Sequence, residues 1–135
     1  MNLKIIAIAF AAINLPLMSH AHSNPDEVKV CYSFSGNTLK QTQPCIGSTG
    51  GGAGGIYESI RIGNKSYLFE GYCSIDGDCE YTYYPNDPNA KAIDTISYLR
   101  DGTFHHKISK DQSALANHLL YCFKTEDGAI NICTN

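Results

Sequence analysis

Three histidines, His105, His106 and His118, have side chains suited to metal binding or acid–base catalysis. A neutral imidazole can ligate a metal ion or transfer a proton near neutral pH. Adjacent residues of a strand point to opposite faces, so only one of His105 and His106 can face a given site. No further ligands at zinc-site spacing accompany them. We therefore expect solvent-exposed histidines, no metal and no cofactor. The alternative is a small secreted hydrolase that pairs a histidine with a carboxylate.

Three carboxylates, Asp76, Asp78 and Glu80, resemble the start of a calcium-binding loop. In the EF-hand pattern, glycine occupies the sixth position and glutamate the twelfth. Here Gly77 directly follows Asp76, so the sequence does not indicate a calcium site. The chain also lacks the G-x-S-x-G motif of a serine nucleophile.

Six cysteines indicate covalent cross-links rather than catalysis. An even number of cysteines in a small exported domain is typical of disulfides, and the spacings do not suit a zinc ribbon. Each sequential pair encloses a turn signal, and partners across a hairpin lie close enough to bond. We predict that three bonds leave no free thiol, and that they join Cys31 to Cys45, Cys73 to Cys79, and Cys122 to Cys133.

A glycine-rich segment over residues 48–55 precedes a predicted strand. It lacks the GK[ST] sequence and the following helix of a phosphate-binding loop. A plain linker or a tight chain crossing is one interpretation. The other is a binding loop, because glycine lets another backbone approach closely. On the second interpretation, the candidate protein-binding residues include Gly51, Gly52, Gly54 and Gly55.

Tyrosines supply the other half of this candidate surface. Exposed tyrosines are good interface anchors, because they offer a large contact area at a low entropy cost. The predicted anchors are Tyr57, Tyr81, Tyr83 and Tyr84. The alternative is that several tyrosines pack in the core, as we expect for Tyr67.

A β-meander must position these residues. Gly63-Asn64 separates two alternating runs and predicts a tight hairpin turn. In that register Ile60 faces Tyr67, and a slip of one residue would reverse both faces. A second turn at Asp76-Gly77 leads into a third strand.

The remaining elements complete a mainly β fold, with a β-rich α+β fold as the alternative. Strands are predicted over 28–34, 38–43, 119–124 and 129–133, with Pro44 ending the second. For 87–108 the sequence permits a helix capped by Asp87 or a hairpin, and we expect a short helix to about Asp94 followed by the hairpin. A single helical turn is expected over 111–117. The predicted fold is a small antiparallel meander of hairpins, stapled by disulfides, with one short helix.

The N-terminus has the layout of a secretory signal peptide, with small residues at Ser19 and Ala21 after an apolar run. We predict cleavage after Ala21, so that residues 22–135 form one exported domain, periplasmic or secreted, that does not insert in a membrane. Loss of Lys4 changes the formal net charge from −3 to −4. An acidic chain argues against nucleic acid as a partner.

This layout resembles small exported bacterial proteins of the enzyme-inhibitor or immunity kind, which combine a signal peptide, one β-rich domain and disulfides. The Ser-Gly-x-x-Tyr motif and the tryptophan-containing segment of membrane-associated and periplasmic lysozyme inhibitors are missing. Lysozyme is therefore not indicated as the target. The resemblance implies a non-enzymatic domain that binds another extracytoplasmic protein.

Overall fold

The computed structural model describes residues 22–135, so the predicted signal peptide lies outside the described residues. Ten strands and one short helix, α1 (Lys110–Ser113), make up this part, which confirms the predicted fold class. No helix within residues 22–135 is long and apolar enough to cross a bilayer. The strands are β1 (His22–Ser23), β2 (Glu27–Ser35), β3 (Thr38–Gly52), β4 (Gly55–Ile62), β5 (Lys65–Cys73), β6 (Cys79–Tyr84), β7 (Ile93–Asp101), β8 (Lys107–Ile108), β9 (Leu119–Thr125) and β10 (Asn131–Thr134).

Eight of the strands form a closed antiparallel barrel in the order β3-β2-β10-β9-β7-β6-β5-β4. Strand β3 closes the ring because it pairs with β2 along most of its length and with β4 from Ile46 onward. Strands β1 and β8 lie beside the ring, paired with β3 and β7. Closure pairs the strand edges that an open meander would leave exposed.

The β4–β5 hairpin has the predicted register. Ile60 is opposite Tyr67, and Glu58 is opposite Phe69. Ile60 and Phe69 are both fully buried in the barrel interior, where they pack with Phe123 and Ile132. The period-two pattern of this segment therefore predicted both the turn and the inward face.

A second, smaller core lies against the other face of β9 and β10. Successive residues of a strand point to opposite faces, so Phe123 faces the barrel interior while Cys122 faces outward. The outward cluster joins buried and half-buried side chains: Phe34, Leu120, Cys122, Cys133, Tyr32, Leu39 and Tyr98.

Arg100 lies in this second core and is only 1 % exposed. Its Nη1 donates to the His105 carbonyl at 2.7 Å, and its Nη2 donates to the Gly36 carbonyl at 3.0 Å. Its Nε donates to the Tyr98 hydroxyl at 3.1 Å. The guanidinium carbon also lies 4.1 Å from the centroid of the Phe34 ring. One side chain thus ties the β2–β3 turn to the loop after β7.

The three disulfides join Cys31 to Cys45, Cys73 to Cys79, and Cys122 to Cys133, which is the sequential pairing that the turn signals predict. No cysteine of the described part is free. The first bond lies in the barrel interior, and the third is buried in the second core. The 73–79 bond instead closes the turn between β5 and β6. Such bonds are typical of proteins that fold in an oxidising, extracytoplasmic environment.

Two local predictions were wrong. The segment up to Asp94 contains no helix, because Ile93 already begins β7 and pairs with Tyr83 of β6. Pro44 does not end its strand, since β3 continues to Gly52. β4 begins to pair with β3 only at Ile46, so β3 has a free edge at Pro44, and a missing N–H is tolerated there.

The glycine-rich segment is mostly strand and not loop. Residues up to Gly52 belong to β3, and β4 begins at Gly55. Only Ala53 and Gly54 form the turn between the two strands. This hairpin is covered on its other edge by β1, where His22 pairs with Gly51.

Candidate functional site

The predicted tyrosine anchors do not form one surface. Tyr84 is exposed, but Tyr83 is only 9 % exposed and its ring centroid lies 5.6 Å from that of Phe69 in the core. Tyr81 also faces inward, with its ring edge against Phe123 at 4.9 Å. The expectation that Tyr81 and Tyr83 act as surface anchors is therefore wrong, because barrel closure buries the inward face of β6.

The glycines of the candidate surface lie in the β3–β4 hairpin, whereas Tyr84 lies at the end of β6. Gly52 pairs with Gly55, and Gly51 pairs with Ile56. A Cβ on the neighbouring Gly50 would lie 2.5 Å from the Tyr57 ring. Glycine at that position thus lets the half-buried Tyr57 ring lie flat on the opposite strand.

The histidines are not gathered into one site. The expectation of an exposed His105 was wrong, because its ring is half-buried against Tyr32 and Phe34, at centroid distances of 5.5 and 6.0 Å. His106 and His118 are exposed, as predicted, and the His118 ring lies over Gly102. Over residues 22–135 no three His, Cys, Asp or Glu side chains lie close enough together to hold a metal ion.

The barrel interior opens at one end into a cavity of about 440 Å³. Aromatic, aliphatic and polar side chains all contribute to its walls, and most of the wall surface is apolar, as is usual for a small-molecule site. The lining includes Tyr81, Leu99, Ile108, Tyr121 and Phe123 among the apolar residues, and Lys29, Glu58, Ser97, Lys110 and Thr134 among the polar ones.

A carboxylate and an ammonium group face this cavity without pairing. Glu58 is largely buried, and burial raises the pKa of its carboxyl above the ordinary value, an effect that the Lys29 charge partly opposes. Lys110 and Asp78 form the only ion pair within 4.0 Å in the described part of the chain. Lys29 and Glu58 therefore stand farther apart than that, with their charges unneutralised by direct contact.

Thr134 belongs to the lining of the same cavity and carries a buried hydroxyl. The residue is 1 % exposed, and its Oγ1 has no hydrogen-bond partner among residues 22–135. A buried polar atom without a partner costs about 1–3 kcal/mol, so such atoms are uncommon in native structures. The cavity thus presents two unpaired charged groups, Glu58 and Lys29, next to this buried hydroxyl.

Two glycines make room for the cavity's side chains. A Cβ on Gly71 would lie 2.6 Å from the Tyr81 ring, and one on Gly47 would lie 2.9 Å from the Lys29 side chain. Each of these larger side chains therefore lies directly over a glycine of a neighbouring strand. The glycines of this chain shape its interior as well as its turns.

The loop between β5 and β6 stands at the rim of the cavity, which Gly77 and Cys79 help to line. Ile75 in this loop is fully exposed (105 %), and Tyr72 just before it is 68 % exposed. The Cys73–Cys79 bond closes the loop, and the Ser74 amide donates to the Asp78 carbonyl at 2.8 Å. We call residues 73–79 the rim loop.

A contact from α1 fixes the rim loop from outside. Lys110 Nζ donates to Asp78 Oδ1 at 2.8 Å, which lowers the pKa of the Asp78 carboxyl. The rim loop is therefore held by a disulfide, by its internal hydrogen bonds and by an ion pair. It presents an apolar side chain on a restrained backbone.

Sequence reasoning missed the three features that distinguish this end of the barrel: Glu58, Lys29 and Ile75. The alternation of β4 put Glu58 on the inward face with Ile60, which was the available signal for a functional carboxylate. Lys29 likewise shares its face with Cys31. Ile75 had a weaker signal, namely an isoleucine between cysteines in an otherwise polar turn.

The fold and this open end define a disulfide-stapled, eight-stranded antiparallel barrel with an apolar cavity and a restrained rim loop. Comparison of the chain with known protein families, curated proteins and solved structures finds no match.

Proposed function

We propose that the chain is an exported, non-enzymatic protein-binding domain of the inhibitor or immunity type, and that the rim loop makes the central contact. The observation that carries this proposal is Ile75, a fully exposed isoleucine (105 %) on a loop closed by a disulfide. Burial of an apolar side chain by a partner favours binding by about 25 cal/mol for each Å² of apolar surface removed from water.

The restraint of the loop supports a binding role for it. A partner that binds a flexible loop must also order it, and this cost subtracts from the affinity. Here the Cys73–Cys79 bond and the Lys110–Asp78 contact order the loop before any partner arrives. Preorganisation of this kind favours tight binding by a small contact area.

The surroundings of Ile75 indicate the chemistry of the partner. Tyr72 supplies an exposed aromatic ring, the residue type enriched at binding hot spots. The rim loop contains two acidic residues and no basic one, and of the two only Asp78 is paired, with Lys110 of α1. The partner that fits is an extracytoplasmic protein with an apolar pocket and basic residues around it, since opposite charges speed encounter and set orientation.

Affinity capture from an envelope or culture-supernatant extract tests the proposal. The disulfide-bonded protein is compared with Ile75→Asp, and with Phe104→Asp as the matched control. Phe104 is also exposed (77 %), but it lies in the loop after β7. We expect one partner to be recovered by the wild type and by the control, and to be lost with Ile75→Asp. Recovery by all three proteins, or loss with both variants, would refute a specific role for the rim loop.

A further inference from the structure

The cavity behind the rim loop has a polar pattern that the protein's own packing does not use. Glu58 and Lys29 both line it and form no ion pair with each other. Thr134 belongs to the same lining, and its buried hydroxyl has no partner within residues 22–135. Burial of the Glu58 carboxylate without a paired cation is costly for folding alone, and the Lys29 ammonium group at the same cavity is also unpaired, which points to a ligand that satisfies both.

The apolar walls determine the chemistry and size of the uncharged part of the ligand. Tyr81 and Phe123 meet edge to face at 4.9 Å and form one wall, and Leu99 belongs to the lining. The cavity of about 440 Å³ is within the range of small-molecule sites, about 300–1,000 Å³. An eight-stranded barrel is also about the size that can hold one small ligand.

From this arrangement we propose that the cavity binds a small zwitterion with an apolar or aromatic side group, such as a free hydrophobic amino acid. The ligand's ammonium group contacts the Glu58 carboxylate, and its carboxylate contacts the Lys29 ammonium group. The side group lies against Tyr81 and Phe123.

A zwitterion fits better than an ion of either sign. A simple amine would pair with Glu58 but would be repelled by Lys29. A simple acid would pair with Lys29 but would be repelled by Glu58. Only a ligand that carries both charges neutralises both side chains at once. Burial, which raises the pKa of Glu58, also increases what the carboxylate gains from a cationic partner.

Isothermal titration calorimetry of the purified, disulfide-bonded protein tests the inference without any protein partner, so its outcome is independent of the rim-loop proposal. The probes are L-phenylalanine, L-leucine, 2-phenylethylamine and 3-phenylpropionate. We expect an amino acid to bind, and each singly charged phenyl analogue to bind at least about tenfold more weakly than L-phenylalanine, as expected for the loss of one charged hydrogen bond.

Two variants test which protein side chain contacts each charged group of the ligand. Glu58→Gln should weaken L-phenylalanine and 2-phenylethylamine about tenfold and should strengthen 3-phenylpropionate, because the charge that repels it is removed. Lys29→Met should weaken L-phenylalanine and 3-phenylpropionate and should strengthen the amine, because the charge that repels it is removed. Glu80→Gln, at an exposed position of β6 opposite Tyr72, is the control and should change nothing. The inference is overturned if neither amino acid gives saturable heat, or if both variants weaken all probes equally.

Discussion

Lys110 Nζ lies 2.8 Å from Asp78 Oδ1, and this contact joins α1 to the rim loop. Both side chains are mostly exposed, and exposed ion pairs contribute little to global stability. The contact matters for a different reason. It restrains a loop that carries the most exposed isoleucine of the described chain at the edge of the cavity lined by Glu58 and Lys29.

Lys110→Met should therefore loosen the rim loop without lowering the melting temperature. The measurement is backbone ¹⁵N relaxation at Asp76 and Gly77, where order parameters should fall. Lys65→Met, at the far β4–β5 turn, is the control. The pKa of Asp78 is lowered by Lys110, so in the wild type the contact should persist until the pH falls through that lowered pKa. Unchanged relaxation in Lys110→Met would show that the ion pair does not hold the loop.

Ile60→Ala should lower the free energy of unfolding by about 2–4 kcal/mol, because it leaves a cavity in the barrel core. Ile60 is fully buried, whereas the next residue, Arg61, points outward into solvent. Arg61→Ala should therefore change stability by less than about 0.5 kcal/mol. Chemical denaturation measures both. Equal losses from the two substitutions would mean that the register of the hairpin is wrong.

Arg100→Lys should be strongly destabilising although it conserves the charge. Lysine has three donors on one atom and cannot reach the His105 and Gly36 carbonyls together, as the guanidinium does. Leaving a buried acceptor unpaired costs about 1–3 kcal/mol, so we expect a loss of about 2 kcal/mol or more. Arg61→Lys, on the exposed outer face, is the matched control. A denaturation midpoint unchanged by Arg100→Lys would contradict the tethering role.

Glu58→Gln should stabilise the protein at neutral pH. Folding raises the pKa of the Glu58 carboxyl. The stability that Glu58 contributes is therefore fully present below its pKa in the unfolded chain, and it is lost as the pH rises through its pKa in the folded protein. Glutamine cannot ionise and avoids this loss. The variant's melting temperature should exceed that of the wild type at pH 7, and the difference should vanish below roughly pH 4. Equal melting curves at both pH values would mean that the carboxyl is not buried.

The local part of this fold could be predicted from the sequence. Alternation between Ile56 and Phe69, with Gly63-Asn64 between the runs, determined the β4–β5 register because both strands and their turn are adjacent in the chain. The same holds for the disulfides, each of which spans a turn between neighbouring strands.

The long-range part could not be predicted. Ring closure depends on the pairing of β10 with β2, between residues almost a whole chain apart, and no short-range pattern encodes it. Without closure, Tyr83 and Tyr84 look alike in sequence, although one lies in the core and the other at the surface. Arg100 was missed for the same reason, since its partner Gly36 is distant in the chain.

The rim-loop contact is tested most directly by photo-crosslinking from position 75. The protein carrying Ile75→p-benzoylphenylalanine is irradiated in an envelope or culture-supernatant extract, with Phe104→p-benzoylphenylalanine as the control, and adducts are identified by mass spectrometry. We expect one specific protein adduct from position 75, which excess unlabelled wild type suppresses and which is absent from position 104. No adduct from position 75, or the same adducts from both positions, would contradict it.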